Sequence, residues 1–83
     1  MANSQQLVRQ MLVSVEAQPP AYDVIWKTLD KHVGHGPQAV PRINDVLMYI
    51  DEQLINEAGP AMSKLWHIVT DYLERTQESL AAA

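Results

Sequence analysis

The chain contains no cysteine and no phenylalanine, and aromatic residues make up only 6% of it. The absence of cysteine excludes a disulfide framework, a thiolate metal site and a cysteine nucleophile. Without phenylalanine, the core has to be built mainly from Leu, Val, Ile and Met. No apolar run approaches the roughly 20 residues that a membrane-spanning helix needs, so we expect no membrane association.

The first residues of the chain carry neither a basic start nor an apolar stretch, both of which are typical of a secretory signal peptide. A chain without cysteine also suits a reducing compartment. We therefore expect a cytoplasmic protein.

Basic residues are few and scattered. Ten acidic residues stand against six basic ones, which gives a formal net charge of −4. Affinity for nucleic acid depends largely on neutralising phosphates with clustered Lys and Arg. This charge balance does not favour a nucleic-acid partner.

The length of 83 residues allows one hydrophobic core, and the hydrophobic fraction of 47% is ordinary for a globular protein. We predict one helical domain spanning residues 1–83. The terminal Ala81, Ala82 and Ala83 are either a natural helix tail or the remnant of an expression tag, and no function is assigned to them.

Proline and glycine divide the sequence into four segments in which apolar residues recur at helical spacing. These segments predict an all-α compact bundle of about four helices, at approximately residues 4–17, 20–33, 41–58 and 60–80. No alternating run or Asn-Gly turn supports a strand. Short connections favour antiparallel neighbours.

Each predicted helix carries an apolar stripe that we expect to face the core. The stripe residues are Leu7, Val8, Met11, Leu12 and Val15, then Tyr22, Ile25, Trp26, Leu29 and Val33, then Ile43, Val46, Leu47, Ile50, Leu54 and Ala58, and finally Met62, Leu65, Val69, Tyr72, Leu73 and Leu80.

The three histidines are the main candidates for metal binding or proton transfer. His32 and His35 form an H-x-x-H pair, and His67 lies four residues before Asp71. A zinc site needs three or four convergent ligands, and the sequence does not fix His35 relative to His32 because Gly34 ends the helix between them. We predict no metal and no cofactor.

The serines also give no catalytic pattern, because none lies in a glycine elbow and none can be assigned a His–Asp pair. The two glycines at Gly34 and Gly36 lack the preceding strand and the third glycine of a phosphate-binding loop. We predict that the protein is not an enzyme.

One segment, residues 53–69, resembles the helix-turn-helix of lac-repressor-type and phage-repressor proteins. The shared features are Ala58-Gly59 at the turn and apolar residues at Leu65 and Ile68. The resemblance implies that one face of the second helix would enter the major groove. That face would carry Ala61, Met62, Ser63, Lys64 and His67.

The segment also departs from that motif. Ile55 stands where a small residue is usual, and Pro60 stands where an apolar residue such as Val is usual. The proposed reading helix has one lysine, Lys64, and no arginine for bases or phosphates. An ordinary helix–Gly-Pro–helix corner is the competing interpretation, so a DNA-binding regulator is retained as the alternative hypothesis.

Some apolar residues fall outside the stripes. Met48 and Ile55, seven residues apart, share a flank about 120° from the core line of the third helix. With Tyr49 or Trp66 beside them they would form a contiguous apolar patch, and such patches tend to mark interfaces. If the third helix is central, the same two residues would instead be core.

We therefore predict a small non-enzymatic protein that acts by binding another protein, as an adaptor, regulator or inhibitor of a larger protein. Phages and bacteria use regulators of this build, an analogy of style and not of sequence. The predicted contact residues are Met48, Tyr49, Ile55 and Trp66. Self-association through the same residues, giving a homo-oligomer, is the second option for the partner.

Overall fold

The computed structural model describes residues 4–56 and 59–82. Within these ranges the chain forms four α-helices and no strand, so the predicted all-α fold is confirmed. Predicted features that involve Ala58 or Ala83 lie outside the described residues. The helices are α1 (Ser4–Glu16), α2 (Tyr22–Val33), α3 (Ala39–Ile55) and α4 (Pro60–Ala82).

Helix α2 begins at Tyr22, two residues later than the predicted start at Pro20. The first helical hydrogen bond runs from the Ile25 amide to the carbonyl of Ala21 over 3.2 Å, so Ala21 is the N-cap. The Ala21 amide is itself bound to the Ser14 carbonyl of α1 at 3.0 Å. This bond ties the start of α2 to the last turns of α1.

Helix α3 begins at Ala39, two residues before the predicted start at Pro41. Turn hydrogen bonds from Ala39 to Gly36 (3.1 Å) and from Val40 to Pro37 (3.3 Å) lead the chain into the helix. Pro41 occupies the first turn, where an amide hydrogen would have no partner within the helix. Helix α4 opens directly on Pro60, as predicted, and its described part ends two residues later than predicted, at Ala82.

The end of α2 is fixed by Gly34, whose backbone has φ +70° and ψ −156°. That combination is accessible essentially only to glycine. The Gly34 amide closes the last turn on the Asp30 carbonyl at 3.0 Å, and the Arg42 guanidinium donates a 3.4 Å hydrogen bond to the Val33 carbonyl. Arg42 thus joins the start of α3 to the end of α2.

One core draws on all four helices. Helix α1 contacts each of the other three, and the most extensive contact joins α3 to α4. Every buried residue in the described part of the chain is apolar or aromatic. These residues are Leu7, Val8, Met11, Val15, Ile25, Leu29, Val33, Ala39, Ile43, Val46, Ile50, Met62, Leu65, Val69 and Tyr72.

The predicted stripes account for this core except for Ala39, which is buried at the start of α3 but lies on no predicted stripe. One stripe residue also lies outside the core. Tyr22 was placed on the inward stripe of α2, but it is 50% exposed. Tyr22 is the first residue of the helix, and helical side chains lean towards the N-terminus. Its ring therefore extends past the end of the core. Trp26, Trp66 and Leu73 are half-buried and pack against the core from its edges.

Candidate functional site

The outer surface of α3 carries two large apolar side chains. Met48 is 62% exposed and Ile55 is 81% exposed. Successive helix residues are about 100° apart, so both point roughly 160° away from the mean direction of the buried side chains of α3. The structure thus places them on the outside of the bundle, further round the helix than the predicted 120° flank.

Three carboxylates surround this apolar pair. Asp45, Asp51 and Glu52 lie three or four residues from Met48, and Asp51 and Glu52 stand in the same relation to Ile55. Residues at this spacing are neighbours on a helix surface. All three acidic residues are exposed.

Helix α4 contributes an aromatic edge to the same region. The Trp66 indole N–H donates a 2.8 Å hydrogen bond to Oδ1 of Asp51. The Trp66 ring also meets the His67 ring edge-on, with centroids 5.1 Å apart. Because Asp51 lies one turn from both Met48 and Ile55, this bond brings Trp66 alongside the apolar pair. We call Met48, Asp51, Ile55 and Trp66 the outer α3 surface.

Tyr49 does not join the outer α3 surface. It is half-buried against the core, and it lies about 100° round α3 from Met48 and about 120° from Ile55. Tyr49 therefore lies on the flank of α3 opposite Asp51 and Trp66. The structure thus places Met48 and Ile55 on one outward face of α3, links Trp66 to that helix through Asp51, and puts Tyr49 on another flank.

Asp51, which sequence reasoning missed, connects Trp66 on α4 to this surface of α3 through a hydrogen bond. The signal available in the sequence was its position three residues after Met48 and four before Ile55. Its bond to Trp66 spans fifteen residues and depends on how α4 packs on α3, which helical periodicity does not report.

Two other exposed aliphatic side chains stand apart from this surface. Val13 on α1 is 72% exposed and Val24 on α2 is 45% exposed. Scattered single apolar residues are normal on protein surfaces.

The residues that would face DNA in a helix-turn-helix are not all available to do so. Met62 is a core residue with 8% exposure, so its predicted place in the reading face is wrong. It packs inward because it lies in line with Leu65 and Val69 on the buried side of α4. Ser63, Lys64 and His67 are exposed.

The histidines do not converge. Within residues 4–56 and 59–82, no group of three or more His, Cys, Asp or Glu side chains could hold a metal ion. Asp71, the residue paired with His67 in the sequence, instead forms an exposed ion pair with Arg75 at 3.2 Å. His67 packs against Trp66.

A cleft of about 360 Å³ lies between the end of α2 and the second half of α4. Polar side chains that line the cleft contact other lining residues. The Tyr72 hydroxyl donates to Asp30, and the Arg75 guanidinium lies 5.1 Å from the centroid of the Trp26 ring. Trp26 also meets the Tyr72 ring edge-on at 5.3 Å. Burial, together with the hydrogen bond to Asp30 and its charge, raises the pKa of Tyr72 above its usual value. These contacts bind α2 to α4 and present no activated nucleophile.

Comparison with protein families, with curated proteins and with solved structures gives no match for this chain. In residues 4–56 and 59–82, no helix is both long enough and apolar enough to cross a membrane.

Proposed function

We propose that this protein is a non-enzymatic cytoplasmic adaptor, regulator or inhibitor that binds another protein through the outer α3 surface. The observation that carries the proposal is the outward position of Met48 and Ile55. Both are large apolar side chains that the four-helix core leaves exposed to water.

The arrangement has the form of a small interface. An apolar pair lies at its centre, the Trp66 ring lies at one edge, and carboxylates form a polar rim. Interfaces commonly combine an apolar centre with a polar rim, and Trp is enriched among the residues that dominate binding energy.

The two apolar side chains could supply a substantial part of the free energy of binding. Burying a fully exposed Met or Ile side chain is worth about 1.5–3 kcal/mol. Two such residues could supply about 3–6 kcal/mol before the cost of association, an upper value because both are already partly covered. Loss of both would weaken binding by about one to three orders of magnitude.

Capture from a lysate of the native host tests the proposal. The tagged full chain is compared with Met48→Asp/Ile55→Asp and with Val13→Asp/Val24→Asp, and captured proteins are identified by mass spectrometry. We expect a protein retained by the wild type and by the Val13/Val24 control, but lost from the Met48/Ile55 variant. Both variants should keep the helical circular dichroism signal.

Two outcomes would contradict the proposal. One is capture that is unaffected by Met48→Asp/Ile55→Asp. The other is a salt-sensitive gel shift with DNA that is lost on Lys64→Ala, which would favour the helix-turn-helix alternative. A second copy of the chain is the competing occupant of the same surface.

A further inference from the structure

We infer that the partner presents an apolar segment flanked by lysine or arginine, and that the occupant of the outer α3 surface is not a second copy of this chain. This inference rests on the proposed function and adds the chemistry of the partner. It is carried by the charges around Met48 and Ile55.

The charge around the apolar pair has one sign. Asp45, Asp51 and Glu52 surround it, and residues 43–63 contain no Lys, Arg or His. Arg42, three residues before Asp45, donates to the Val33 carbonyl at 3.4 Å and forms no ion pair among the described residues. In the described part of the chain, neither Asp45 nor Glu52 forms an ion pair. Asp51 accepts a hydrogen bond from the uncharged indole of Trp66. Among the described residues, no basic side chain is thus paired with the carboxylates around Met48 and Ile55.

A partner with basic flanks would complement this rim. Potentials across an interface tend to be opposite in sign, which speeds association and excludes partners of like charge. An apolar segment with Lys or Arg on either side could bury Met48 and Ile55 while placing its cations against the carboxylates.

Self-association meets the opposite situation. In a twofold dimer the same patch contacts itself, so the carboxylates of one copy would face those of the other. Like charges brought together across an interface disfavour the pairing. The net charge of −4 adds to the repulsion between copies.

The spacing of the pair indicates the shape of the partner segment. Met48 and Ile55 are seven residues apart on α3, which places them about 10 Å apart along the helix axis. An amphipathic helix laid along α3 presents side chains with the same two-turn repeat, at positions i, i+3, i+4 and i+7. A basic amphipathic helix therefore fits both the spacing and the charge.

Two synthetic helical peptides test this chemistry directly. Both carry leucines at i, i+3, i+4 and i+7; one has lysines at the flanking positions and the other has glutamates there. Binding to the full-length protein is followed by fluorescence anisotropy at several salt concentrations. The charge variant is Asp45→Asn/Glu52→Gln, and its control is Glu74→Gln/Glu78→Gln, an equal charge change on α4.

We expect the lysine peptide to bind the wild type at least about tenfold more tightly than the glutamate peptide, with an affinity that falls as salt increases. Asp45→Asn/Glu52→Gln should raise its Kd several-fold at low salt and reduce the salt dependence, whereas the α4 control should change neither. Met48→Asp/Ile55→Asp should abolish binding. Light scattering should show a monomer.

Equal affinity for the two peptides, no binding of the lysine peptide, or no effect of Asp45→Asn/Glu52→Gln would overturn the inference. So would a dimer that dissociates on Met48→Asp/Ile55→Asp. If capture of a host protein still requires Met48 and Ile55 but tolerates neutralisation of the carboxylates, the charge inference fails and the proposed function stands.

Discussion

The indole nitrogen of Trp66 on α4 lies 2.8 Å from Oδ1 of Asp51 on α3. The bond joins the two helices that pack most extensively on each other. It also fixes the position of the one aromatic ring beside Met48 and Ile55 on the described outer α3 surface. The same contact therefore supports the fold and shapes the candidate binding site.

The Trp66–Asp51 bond should be measurable as a coupling between the two residues. A hydrogen bond to a charged group contributes about 1–3 kcal/mol, and the exposed setting of this bond favours the lower end. We expect a double-mutant cycle with Trp66→Phe and Asp51→Ala to give a coupling of about 1 kcal/mol, measured by urea unfolding. A coupling near zero would show that the bond does not join the helices energetically.

Ile50 and Ile55 provide a matched pair on one helix, because one is fully buried and the other is on the outer α3 surface. We expect Ile50→Ala to lower the free energy of unfolding by about 2–5 kcal/mol through lost burial and a residual cavity. That is a large share of the roughly 4–12 kcal/mol typical of a chain this size.

Ile55→Ala removes the same atoms from a site that already faces water. Its effect on the free energy of unfolding should stay within about 0.5 kcal/mol. Chemical denaturation of both variants checks the pair. A loss at Ile55 as large as that at Ile50 would place Ile55 in the core and remove the basis for the proposed surface.

Gly34 and Gly59 form a second matched pair. Gly34→Ala forces a side chain into a backbone conformation with φ +70°, although the nearest atom, on Arg42, is 4.0 Å away. The cost is therefore conformational, and we expect a loss of about 1–3 kcal/mol. A Cβ at Gly59 would meet nothing within 4 Å, so Gly59→Ala should be neutral or stabilising by up to about 1 kcal/mol.

Thermal unfolding of the two alanine variants separates these effects. The melting temperature should fall for Gly34→Ala and hold or rise for Gly59→Ala. An unchanged melting temperature for Gly34→Ala would mean that the end of α2 does not need the glycine conformation.

Tyr72 should make stability depend on pH in the alkaline range. Its pKa is raised in the folded protein, so above about pH 10 the unfolded chain loses this proton while the folded one keeps it. The contribution of Tyr72 is therefore complete below pH 10 and declines as pH rises above it.

Tyr72→Phe should cost about 1–2 kcal/mol at pH 7, because the charge-assisted hydrogen bond to Asp30 is lost. The difference from the wild type should narrow above pH 10. Tyr22→Phe, which alters an exposed ring, should change stability by less than about 0.5 kcal/mol. Urea unfolding between pH 7 and 11 measures both, and a constant difference across that range would be inconsistent with a raised pKa.

Much of the fold could be predicted because Pro and Gly separate the helical segments and because each segment carries a single apolar stripe. At the helix starts, turn bonds decide the boundary: Ala39 and Ala21 find backbone partners in Gly36 and Ser14 that no propensity reports. The predicted helix ends also differ, since α3 ends at Ile55 and not at residue 58. The predicted burial of Tyr22 is wrong because an apolar stripe shows which way a side chain points but not how far the core extends along the helix.

The candidate site was predictable only in part. Helical periodicity shows that Met48 and Ile55 lie outside the inward stripe of α3, but it cannot show whether another helix covers them. Tyr49 adjoins Met48 in sequence and is therefore about 100° away from it on the helix. The Trp66–Asp51 and Tyr72–Asp30 bonds join residues 15 and 42 apart, and they depend on tertiary packing alone.

The most direct test of the account is the dissociation constant of the captured partner for the wild type and for Met48→Ala/Ile55→Ala, by isothermal titration. Alanine removes apolar contact without adding charge, so a change in Kd reports burial of these two side chains. We expect Kd to rise by at least about tenfold while stability stays near the wild-type value. An unchanged Kd would contradict the claim that this protein acts through the outer α3 surface.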